Sequence, residues 1–235
     1  MNLLLVAILV IIFSLALSVW ACMATRYASN GRAGPRIDEV FRFALASGFI
    51  ATPVMLHGLE QSDPATASVG LFLGILLGVS ATIDRLTAWA PDGLIVPISV
   101  LACVYGPIGD IHILWGVVAG LGLFVVAQLL WMLQVSLDRR ALPPPDIIAV
   151  LLPFALFGFS IHTIIVLLTV ALILLAILRW PHLEIFSGLQ DAKDDAQQDT
   201  GIKGGNTVAF LATAFPVTLV IWAASHLGIF TWSSF

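Results

Sequence analysis

Apolar residues run along this chain in long unbroken blocks parted by short polar joints, without the apolar–polar alternation of a half-buried strand. The blocks predict about eight helices, over residues 3–24, 41–58, 67–84, 93–108, 111–137, 146–161, 163–179 and 207–228. The fourth and sixth are short, and the sixth and seventh are parted only at Ser160–His162. Lipid cannot satisfy a free backbone N–H or C=O, so apolar blocks of this length are helices or closed barrel strands, and the missing alternation excludes the barrel. The predicted fold class is an all-α polytopic membrane protein, with residues 1–235 forming a single transmembrane domain.

Composition agrees with the pattern. The chain is 60% hydrophobic and 10% charged, against about 45–50% apolar and about 25% charged for a soluble domain. A transmembrane helix needs about 20 apolar residues, which leaves no room for a sizeable soluble domain. Any activity is therefore expected in or at the bilayer. A net charge of −4, thinly spread, points to no nucleic-acid partner. The first block, MNLLLVAILVIIFSLALSVWACMA, has no basic residue before it and no small-x-small cleavage pattern after it, and reads as a retained first helix.

The basic residues set an orientation, because positively charged joints stay in the cytoplasm. Arg26, Arg32, Arg36 and Arg42 surround the first joint, Arg85 follows the third helix, and Arg139 and Arg140 follow the fifth. Arg179, Lys193 and Lys203 lie before the last helix, completing the 10 Lys and Arg of the chain. With eight helices all ten fall on one face, while Glu60, Asp63 and Asp110 fall on the other. The expected topology has the amino terminus outside and the joints at 25–40, 85–92, 138–145 and 180–206 in the cytoplasm, in the inner membrane. Residues 187–206, SGLQDAKDDAQQDTGIKGGN, are polar and aperiodic and predict a mobile cytoplasmic loop. Its Asp191, Asp194, Asp195 and Asp199 lack the alternating acidic positions, central Gly and terminal Glu of a calcium loop and read as a solvated charge run. Cys22 and Cys103 lie inside apolar blocks and read as buried small hydrophobes. His57, His112, His162, His182 and His226 include no i, i+4 pair, so neither a metal site nor any cofactor is expected.

Candidate chemistry sits at two joints. IDRLTAWAPDGLIVP carries Asp84, and DRRALPPPDIIAVLLPFALFG carries Asp146, each against an apolar block. In the eight-helix topology Asp84 ends a helix running inward and Asp146 begins one running outward, so both lie at one depth near the cytoplasmic face. Charge at that depth points to function by default. Two neighbouring carboxylates in a poorly hydrated site do not both ionise easily. The ionised one can activate a water against a peptide carbonyl while the protonated one supplies a proton. Two plainer roles stand beside this one: Asp146 can cap a helix whose start is marked by three prolines, and Asp84 can pair with Arg139 or Arg140.

The first motif resembles the leading aspartate motif of the type IV prepilin peptidases, with Asp84, Pro91, Asp92, Leu94 and Pro97 in that family's pattern. The stretch RRALPPPDIIAVLLPFALFG sits where the family has its GxGD motif, and Asp146 takes the place of the motif's aspartate. The resemblance covers about residues 67–180 and extends weakly into 201–215. It implies a membrane aspartyl endopeptidase with Asp84 and Asp146 as catalytic residues, cutting prepilin-like substrates that carry a basic leader and an apolar helix. The motif departs from the family in having Pro143 and Pro145 for its two glycines and Ile148 for its usual lysine. GPIGD, ending at Asp110, keeps a Gly before its Asp, but the topology puts Asp110 across the membrane from Asp84. Residues 25–40 hold no cysteine, so the resemblance is to the compact, cleavage-only form. The departures motivate a second expectation, a catalytically silent relative acting as a scaffold or assembly subunit. A third is a small transporter using the two aspartates as a proton or cation site.

Overall fold

The computed structural model of the protein describes residues 3–28, 35–60, 64–87, 90, 92–137, 142–179 and 210–227. The regular elements among these residues are all helices, with no strand. The helices are α1 (Leu3–Ala28), α2 (Ile37–Glu60), α3 (Pro64–Thr87), α4 (Asp92–Tyr105), α5 (Pro107–Ile111), α6 (Ile113–Ser136), α7 (Pro144–Phe157), α8 (Ile161–Arg179) and α9 (Phe210–His226). Four are long and apolar enough to cross a membrane, with spans Val6–Tyr27, Ile37–Glu60, Ala67–Thr87 and Ile113–Ser136. Four more, α4, α7, α8 and α9, are apolar but shorter. The 187–206 loop, and with it Lys193 and Lys203, lies outside the described residues.

Helix ends differ from the expected boundaries where local chemistry overrides hydropathy. Helix α2 starts at Ile37, because Arg36 O accepts the Glu39 and Val40 N–H groups and Asp38 and Glu39 suit the positive end of the helix. Between the fourth and fifth blocks lies the extra single turn α5, flanked by Gly106 and His112. His112 is extended, and its Nδ1 accepts the Leu114 N–H at 3.1 Å, which caps α6. The break expected at Ser160–His162 falls earlier, at Gly158–Ser160. Gly158 has φ +62°, a value that only glycine adopts without strain. Thr163 Oγ1 then donates to Gly158 O at 2.7 Å and ties the restart of α8 to the end of α7.

Helix α3 is the hub, packed on α1, α2, α4 and α9, and 83% of its apolar window is buried. Helix α6, whose window is only 17% buried, is peripheral and packs on α4 through one face. Apolar burial drives helices together little when the surroundings are themselves apolar, so close backbone approach decides which faces meet. Gly70, Gly74 and Gly78 recur every fourth residue along α3 and face Val54, Ala51 and Ser47 of α2. Gly116 and Gly120 do the same on α6 against the α4 backbone at Val104 and Val100, whereas Gly122 faces open space. Helix α7 packs between α4, α6 and α9, and α8 rests on α9 and α7.

Candidate functional site

Asp84 lies in the last turn of α3 and is only 6% exposed. Its Oδ2 accepts the Ala212 N–H at 3.2 Å, and the Leu211 N–H also donates to the carboxylate. The first N–H groups of a helix have no partner inside it, so Asp84 caps α9 from another helix. No ion pair reaches Asp84 among the described residues. The guanidinium of its neighbour Arg85 is instead over the Phe43 ring, 5.6 Å from the centroid. Arg139 and Arg140, the alternative partners, lie outside the described residues.

Asp146 is half-buried in the first turn of α7. The capping role open to it in the sequence finds nothing to cap on its own helix. Pro144 and Pro145 have no N–H, and the Asp146 and Ile147 N–H groups both donate to Pro143 O, at 3.0 and 3.3 Å. The three prolines start the helix and use up its first turn of donors. The Asp146 carboxylate makes no hydrogen bond to a described residue, and it stands within electrostatic range of Asp84.

The two aspartates therefore lie at one end of the bundle, within electrostatic range of each other, although α3 and α7 share no extensive packing face. Helices α4 and α9 lie between them, each packed on both α3 and α7. The end of α3 meets the starts of α7 and α9 there, and α4 starts just beyond, at Asp92. Each of these starts is the positive pole of a helix dipole, which favours negative charge nearby. One carboxylate is held by two backbone donors and the other has none, so a proton shared by the pair has an uneven choice of sites. Asp92 is exposed, in the first turn of α4. Pro91 lies outside the described residues. Leu94 is fully buried, and Pro97 lies within α4.

Asp110 lies on α5, at the far end of α4 from the carboxylate pair. The 14 residues of α4 separate the two ends by about 21 Å at 1.5 Å per residue. Around Asp110 the structure gathers side chains that are scattered in the sequence. The His57 and His226 rings lie 5.1 Å apart, and Tyr105 Oη is 3.2 Å from His226 Nε2. The pairings join residues up to 169 apart, from α2, α4 and α9, and no spacing rule in the sequence signals them. No group of three or more His, Cys, Asp or Glu able to hold a metal occurs among the described residues.

No family model, curated protein or solved structure matches the chain.

Proposed function

We propose that the protein is a multi-pass inner-membrane aspartyl endopeptidase that removes leaders from prepilin-like substrates at the cytoplasmic face, with Asp84 and Asp146 as the catalytic pair. The observation that carries this reading is that two carboxylates from separate helices lie within electrostatic range of each other, one of them with no hydrogen bond to a described residue. In this reading all eight apolar helices cross the bilayer, with the amino terminus outside. The helices of 14 residues, α4 and α7, reach about 21 Å against a hydrocarbon thickness of about 30 Å. The site at their starts then lies below the headgroups, where an apolar substrate helix arrives laterally from the lipid.

Asp84, held by Leu211 and Ala212, serves as the ionised member that activates the water. Asp146, lacking donors, keeps the proton and delivers it to the leaving amine. The chemistry needs no metal and no other cofactor. The test is processing of a co-expressed prepilin, measured at equal amounts of inserted protein. Asp84→Asn and Asp146→Asn should each abolish it, and the double variant should be no worse than either single one, because residues acting as one unit are not additive. Asp92→Asn and Asp110→Asn should process normally. Wild-type processing by either Asp84→Asn or Asp146→Asn refutes the mechanism.

Two observations favour a second reading, that of a silent scaffold. Asp84 already has a structural task in capping α9, and Pro143 and Pro145 stand where the family that the motif resembles has glycines. Under that reading no prepilin is cleaved by the wild type, and pulldown of pilus-assembly partners is unchanged by Asp146→Asn. The transporter reading has no comparable observation in its favour.

A further inference from the structure

The end of the bundle away from the carboxylate pair holds a cavity of about 450 Å³, within the range of about 300–1,000 Å³ typical of small-molecule sites. His57, Tyr105, Asp110, Phe157, Trp222 and His226 form much of its wall. We propose that this cavity binds a small organic cation, a quaternary or primary ammonium ion. The proposal is independent of the peptidase reading.

Four features of the wall select positive charge. Helices α2, α4, α7 and α9 all end at the cavity, supplying residues 57–58, 105, 156–157, and 222 and 226. The last carbonyls of a helix lack partners inside it and form the negative pole of its dipole. Asp110 adds a formal negative charge, exposed and without an ion pair among the described residues. The sequence places no Lys or Arg at 43–84, 86–138 or 141–178, nor after 203, so every wall residue belongs to a stretch without Lys or Arg. The aromatic rings complete the set. Tyr105 and Trp222 meet edge to face with centroids 4.8 Å apart, and an ammonium ion over such a ring is attracted by its quadrupole.

Hydrogen bonds fix the orientation of the His226 ring in the wall. His226 Nδ1 lies 2.9 Å from Trp222 O, which can only accept, so this nitrogen carries the proton. Nε2 lies 3.2 Å from Tyr105 Oη. Inorganic cations gain little from aromatic walls, whereas an ammonium ion uses both the rings and the carboxylate.

The test uses the purified full chain in maltoside micelles free of lipid. Choline is compared calorimetrically with 3,3-dimethylbutan-1-ol, its uncharged isostere. Choline should bind at least tenfold more tightly than the alcohol, and Asp110→Asn, at an exposed position that does not threaten folding, should weaken choline at least fivefold. Tyr105→Leu should weaken it as well. Displacement of choline by a short-chain phosphocholine lipid identifies a lipid headgroup as the natural source, and failure to displace it identifies a free ammonium ion. Equal affinity for choline and the alcohol, unchanged binding by Asp110→Asn, or displacement by an equal concentration of sodium would each overturn the proposal.

Discussion

The two aspartates should differ sharply in what they do for stability, even if both are indispensable for cleavage. Replacing Asp84 by Ala removes the acceptor of the Leu211 and Ala212 N–H groups at the start of α9. Losing a helix cap costs about 0.5–2 kcal/mol, and leaving a buried donor unsatisfied costs about 1–3 kcal/mol. The two costs overlap, since both describe the same two N–H groups, so Asp84→Ala should lose about 2 kcal/mol and Asp84→Asn, which keeps one accepting oxygen, about 1 kcal/mol. The Asp146 carboxylate makes no hydrogen bond to a described residue. Asp146→Asn replaces a protonated carboxyl by an amide of nearly the same shape that can still donate to Asp84, so its stability should stay within about 0.5 kcal/mol of wild type. The assay is reversible unfolding of the purified variants in mixed micelles by dodecyl sulfate titration, followed by circular dichroism. A loss for Asp146→Asn equal to that for Asp84→Asn would refute the reasoning, since both aspartates would then be structural.

Three further outcomes are expected. Gly120→Ala should destabilise by about 1–3 kcal/mol, because its Cβ would meet the α4 backbone, with Ser99 O at 2.7 Å, whereas Gly122→Ala meets nothing and should be silent in the same titration. Replacing Pro143 and Pro145 together by Gly should cost about 1–2 kcal/mol through the freer unfolded chain and leave cleavage within about tenfold, roughly 1.4 kcal/mol in the barrier; activity that appears only in this variant would mark the natural protein as a decayed enzyme. A reporter joined after residue 195 should read cytoplasmic and one inserted beside residue 63 external, and the reverse pattern would overturn the membrane orientation.

The sequence by itself determined the helical class, because apolar blocks without alternation leave a bilayer protein no other secondary structure. It also located most helices to within a few residues and singled out Asp84 and Asp146, since charge beside an apolar block is conspicuous. It held the signal for the α3 seam too, in glycines recurring at every fourth residue from Gly70 to Gly78. Hydropathy alone passes over such a seam because glycine is nearly neutral in it. Only the tertiary structure decided which polar groups meet. Whether Asp84 caps a helix 128 residues away, whether Asp146 finds any donor, and whether His57 touches His226 all depend on how helix ends converge. That convergence is set by packing of small residues between helices and by where glycine and proline end or start them. Such contacts join residues distant in the chain, so no local pattern records them, and the capping role that proline-led α7 suggested for Asp146 belongs instead to Asp84 on α9.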